Sequence, residues 1–121
     1  MRHHNKNKKF GRKKDERRAL LRSLAGALVR DGKIMTTEAK AKALRPFIEK
    51  LVTRARKGDV SARRILVSRL GSEEAARKLV SEIAPRFKDV PGGYTRIVKI
   101  APRRSDAARM AVIEFVSSEN K

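Results

Sequence analysis

The side chains able to do chemistry in this chain are few, and most of them are cations. His3 and His4 stand side by side near the N-terminus, and no other histidine and no cysteine occurs. Adjacent side chains on an extended chain point to opposite sides, and no carboxylate follows within the next ten positions. The pair therefore lacks metal-ligand spacing, and no metal is expected. The acidic residues mostly open helices or neighbour Lys and Arg, so no nucleophile, base and orienting group can be assembled. This argues against an enzyme, and with it against a cofactor or a small-molecule substrate. Binding of a polyanion remains. Residues 1–14, MRHHNKNKKFGRKK, hold seven Lys or Arg and no acidic residue. Arg2, Lys6, Lys8, Lys9, Arg12 and Lys13 suit phosphates, while His3, His4 and Asn5 add hydrogen bonds and Phe10 a stacking face among them. Such a segment cannot offset its ordering entropy by apolar burial, so it is expected to be an extended tail that orders on its partner.

The excess of charge is not confined to that tail. The chain carries 32 basic and 13 acidic residues, net +19, and without the first fourteen residues 25 basic still face 13 acidic. Like charge at this density opposes compaction, and a nucleic-acid backbone relieves it by counterion release. An anionic membrane surface is the competing partner, but the leucines of the first helix are needed for a core. No apolar run approaches the roughly 20 residues of a membrane span, and no signal-peptide pattern opens the chain. A cytoplasmic protein is expected. A DNA-architectural protein is the alternative reading, against which stand the lack of a recognition-helix motif and of a dimer seam. No homo-oligomer is expected.

The elements that must hold these cations follow from periodicity. Leu20, Leu21, Leu24, Leu28 and Val29 recur at helical spacing, predicting a helix over 15–31 with Asp15 and Glu16 in its first turn and Gly32 as its stop. A short extended piece over 33–36 leads to Thr36 or Thr37, either of which can cap a second helix to about residue 57. Its expected apolar face is Ala39, Ala43, Phe47, Ile48, Leu51, Val52 and Ala55, and Pro46 is expected to kink or split it. Asp59 or Ser61 caps a third helix to Leu70, and Ser72-Glu73-Glu74 opens a fourth that ends before Pro85. Residues 94–100 and 109–116 read as strands of an antiparallel hairpin, with Ala111, Ile113 and Phe115 on one face. The class is α+β: four helices on a small three-stranded sheet, with an extended basic tail over 1–14, one domain over 15–117 and a disordered end over 118–121.

On the body, Arg17, Arg18 and Arg22 continue the tail's charge along the first helix. Lys40, Lys42 and Arg45 follow on the second, although Lys40 and Lys42, two apart, do not share one stripe. Arg103 and Arg104 sit at the hairpin tip, where guanidinium forks match phosphates. Gly92-Gly93 forms a turn, not a phosphate loop, because no Lys-Ser/Thr pair or helix follows; close approach to RNA is its second use.

Three blocks, MRHHNKNKKFGRKKDERRALLRSLAGAL, GKIMTTEAKAKALRPFIEKLVTRARK and GGYTRIVKIAPRRSDAARMAVIEFV, occur in this order over residues 1–116. Together they resemble the bacterial large-subunit ribosomal protein seventeen family. The resemblance implies a structural ribosomal protein that binds 23S rRNA near the exit of the peptide tunnel and meets neighbouring ribosomal proteins. It implies RNA contacts for the tail, for Lys40 and Lys42, for the Tyr94-Thr95-Arg96 turn and for the Arg103-Arg104 loop. The chain departs from the family pattern at Glu16, where a His is usual, at Ser23, where an Asn is usual, and at Ala43-Leu44, where a polar pairing is usual.

Overall fold

The computed structural model describes residues 2–116, with side chains from Lys14 onward. Helix α1 spans Arg2–Asp31. Its backbone is thus helical where the sequence reading expects extended chain, and Asp15 and Glu16 lie in mid-helix instead of a first turn. The physical reason is local: residues 2–14 contain no proline and no β-branched residue, and Lys and Arg are good helix formers. The contacts expected of the tail's side chains, and the disordered end expected over 118–121, lie outside the described residues. Gly32 closes α1 at φ +82, its N–H donating to the Leu28 carbonyl at 2.7 Å.

Strand β1 follows over Lys33–Thr37, and helix α2 runs Glu38–Ala55 with Thr37 as its N-cap, Oγ1 accepting from the Lys40 amide. Pro46 does not split α2, because it sits on the exposed side, where water reaches the carbonyl it leaves unpaired. The buried stripe of α2 is Ala41, Leu44, Ile48, Leu51, Val52 and Ala55. Ala39 and Ala43, expected inside, are exposed. The cap at Thr37 turns Glu38 and Ala41 inward, and the stripe repeats from there.

Helix α3, Val60–Leu70, is capped by Asp59, whose Oδ1 accepts from the Ala62 amide at 2.7 Å. Helix α4, Glu73–Lys78, is capped by Ser72. It widens into a π turn over Leu79–Ile83 and tightens into a 3-10 turn over Ala84–Phe87. Pro85 cannot donate to the turn before it, and the Ala84 amide reaches back to the Leu79 carbonyl instead. Leu79, Ile83, Ala84 and Phe87 all bury as a result.

Strands β2, Thr95–Ile100, and β3, Met110–Phe115, form the expected hairpin, and β1 joins it on the far side of β3. All pairings are antiparallel, in the order β1-β3-β2. The central strand sets Glu114 opposite both Lys33 and Arg96, and the charge-rich β2 lies at an edge. Ala111, Ile113 and Phe115 point into the core as expected, under α2, where the Phe87 ring packs tilted against Tyr94 and Phe115, with centroids 5.1 and 6.5 Å away.

Candidate nucleic-acid interface

Helix α1 carries the basic N-terminal segment in its first half and enters the domain beside the start of α2. Between them lies an open groove of about 380 Å³, floored by Leu20, Leu21, Leu24, Ala39 and Ala43 and bordered by Arg17 and Lys40. Both cations are exposed, and neither has an ion-pair partner among the described residues. Two sequence candidates from different helices thus meet here. Leu20, 39 % exposed, adds apolar surface against which a base or sugar can lie.

The other arginines of α1 diverge. Arg18 and Arg22, one turn apart, share a face, and Arg22 lies over the junction of α3 and α4. There Gly71, at φ +70, leaves the room: a Cβ on it would fall 2.7 Å from the Arg22 Cδ. Lys42 is held at home, its Nζ 2.9 Å from Glu38 Oε1, with Lys99 at 3.6 Å on the same oxygen. The Lys42 hydrogen bond, supported by both positive charges, holds the Glu38 carboxyl below its ordinary value. Arg45 reaches across to donate to the Thr95 carbonyl at 3.4 Å. The three cations of α2 therefore point to three different tasks, as the Lys40–Lys42 spacing already suggests.

The Gly92–Arg96 turn is where structure and expectation part. Tyr94 is fully buried and Thr95 nearly so, and neither can present its side chain to RNA. The Tyr94 hydroxyl sits 3.0 Å from Thr53 Oγ1 and accepts from Arg56 Nη1 at 2.9 Å, while Arg56 Nη2 donates to the Lys88 carbonyl. The backbone amides of the turn are occupied too. Glu49 Oε1 accepts from the Gly93 and Tyr94 amides at 3.0 and 3.1 Å, and Oε2 from the Thr95 amide at 2.8 Å and its hydroxyl at 2.9 Å. A turn with three converging N–H groups suits an anion, and here the anion is the protein's own. Arg96 is exposed but ion-paired to Glu114 at 2.7 Å. Glu49 and Arg56 carry little local signal, because their partners lie more than thirty residues away; an acidic residue amid the cations of α2 is the only hint.

The hairpin tip is built in advance. Arg103 donates from Nε and Nη2 to the two carboxylate oxygens of Asp106 at 3.0 and 2.8 Å, and Asp106 Oδ1 also accepts from the Ala108 amide. These bonds, the arginine's first, push the Asp106 carboxyl down to about 2. The Arg103 amide donates to the Ala108 carbonyl, and Ala107 takes the left-handed conformation at φ 55 to close the loop. Arg104 is left exposed, with no ion pair among the described residues. Those residues contain no cluster suited to a metal ion and no helix long and apolar enough to cross a membrane.

Among known proteins, residues 20–116 match the family described as Ribosomal protein L17. The chain belongs to the ribosomal protein L17 family. It is 54 % identical over 117 residues to the large ribosomal subunit protein bL17 of Campylobacter lari, covering 97 % of this chain and all of that one. The protein of the same name from Campylobacter jejuni is 55 % identical over the same shares, and that of Campylobacter hominis 51 % identical over 97 % of this chain and 99 % of its own. L17 proteins are ribosomal constituents, not enzymes.

Proposed function

We propose that the chain is a structural constituent of the large ribosomal subunit in the bacterial cytoplasm, where it binds and stabilises 23S rRNA next to neighbouring ribosomal proteins. Family membership supports the subunit, and the resemblance adds the region of the peptide exit tunnel. The observation that carries RNA binding is the groove between α1 and α2, where Arg17 and Lys40 border an apolar floor directly downstream of the basic run on the same helix. Phosphates meet the cations, and bases or sugars meet the leucines. The tail's His3, His4, Asn5 and Phe10, with Arg2, Lys6, Lys8, Lys9, Arg12 and Lys13, extend this contact along the RNA. Arg18, Arg22, Arg103 and Arg104 contribute at further points of the surface.

Titration of labelled 23S rRNA fragments against the full chain tests this at several salt concentrations. Six to ten phosphate contacts predict a loss of about 10³–10⁵ in affinity between 50 and 200 mM salt. Arg17→Gln with Lys40→Gln should lower that slope by about 1.5. A flat salt response, or duplex DNA outcompeting structured rRNA, defeats the proposal; the latter outcome would favour the DNA-architectural reading.

A further inference from the structure

Helix α3 carries two stripes. Ala62, Leu66 and Leu70 bury into the domain, while Val60, Arg63, Arg64 and Val67, spaced at zero, three, four and seven residues, line up on a second face. That face meets Glu73 and Arg77 of α4 across an open groove of about 420 Å³. It shares no residue with the groove between α1 and α2. Arg63, Arg64 and Arg77 are all exposed, and none has an ion-pair or side-chain hydrogen-bond partner among the described residues. Val60 at the groove's edge is 69 % exposed, the most exposed large apolar side chain among the described residues.

Arg63, Arg64 and Arg77 line one groove, so three like charges share it, and the single Glu73 carboxylate offsets only part of this. An anion with several charges in a row removes the repulsion, and an apolar floor adds nothing for a free inorganic ion. A strand of nucleic acid supplies both complements: phosphates for the forks of Arg63, Arg64 and Arg77, and an unpaired base for Val60 and Val67, with Glu73 placed to accept from a base amino or imino group. We infer that the α3–α4 groove is a second RNA site, which takes the backbone and an unpaired nucleotide of a segment other than the one held by α1 and α2. The protein then bridges two RNA segments, each through its own groove. This rests on the rRNA-binding reading above and adds a second point of attachment to it.

Backbone-cleavage and base-modification footprinting of 23S rRNA with the full chain separates the two readings. Three variants are compared with the parent: Arg63→Gln/Arg64→Gln/Arg77→Gln, Arg17→Gln/Lys40→Gln, and a charge-matched control, Lys33→Gln/Arg86→Gln/Lys88→Gln, whose sites lie in neither groove. Circular dichroism confirms that each folds. The parent should protect two discrete patches. The α3–α4 variant should lose one of them, centred on unpaired nucleotides, keep the other, and lower the salt slope by about 2. The Arg17/Lys40 variant should do the converse. If the α3–α4 variant keeps the whole footprint, or matches the control in slope, the second site is refuted while rRNA binding stands. If the parent protects nothing, both readings fall.

Discussion

Replacing Glu49 by alanine should cost far more than its half-buried position suggests. Its two oxygens accept from three backbone amides and one hydroxyl at 2.8–3.1 Å. The Gly93 amide is exposed and can turn to water, and the Thr95 hydroxyl can rotate. The amides of Tyr94 and Thr95 cannot, because both residues are buried. Leaving a buried donor unpaired costs roughly 1–3 kcal/mol, so two of them amount to about 3 kcal/mol once partial hydration is allowed for. Glu49→Gln keeps one acceptor oxygen but turns an NH₂ toward N–H groups, and should cost about half as much. With an m-value of about 1.5 kcal/mol per M in urea, Glu49→Ala moves the unfolding midpoint down by about 2 M with m unchanged. Tyr94 is the sole tyrosine and no tryptophan is present, so intrinsic fluorescence reports from the site itself. A midpoint within 0.3 M of the parent would show that water satisfies the turn as well as Glu49 does, and the account of this turn would be wrong.

Two further predictions concern the hairpin tip and α2. The Asp106 carboxyl lies at about 2 in the folded chain, below its ordinary 3.8; a depressed folded value stabilises the loop above the ordinary value, and that contribution is lost as pH falls from about 4 toward 2. The Ala108 amide resonance should therefore titrate with a midpoint near 2, and a midpoint near 3.8 would mean that Arg103 does not hold the carboxylate in solution. On α2, Leu44→Ala should destabilise by about 3 kcal/mol, as expected for a buried leucine, whereas Ala43→Gln should stay within about 0.5 kcal/mol. Chemical denaturation of the two variants checks the direction of the helix face, and equal effects would contradict it.

Much of the fold is legible along the chain because its signals are local. Thr37, Asp59 and Ser72 cap their helices through amides three residues on, and Gly32 and Gly71 stop theirs where φ turns positive. Alternation of Ala111, Ile113 and Phe115 marks the inner face of β3 without any knowledge of its neighbours. The net charge and the absence of cysteine exclude whole classes of chemistry by composition alone. The inward face of α2 is half legible: Ile48, Leu51, Val52 and Ala55 follow from periodicity, but Ala39 and Ala43 look as apolar as Ala41, and only packing distinguishes them.

Tertiary structure decided what each polar side chain is for. Lys40, Lys42 and Arg45 are three basic residues within six positions, yet one borders a groove with α1, one binds Glu38 and one braces β2. Gly93-Tyr94-Thr95 reads as a surface turn open to RNA, and a carboxylate more than forty residues away fills it. The order β1-β3-β2 places Glu114 between two cations, which no local pattern specifies. The reason is one of range. Caps, stops and alternation are energies between near neighbours, whereas the partner of a charge is set by which distant segment arrives beside it. The sequence by itself determined a basic α+β chain whose charge suits a polyanion; the fold decided which of its described cations are left without a partner inside the protein.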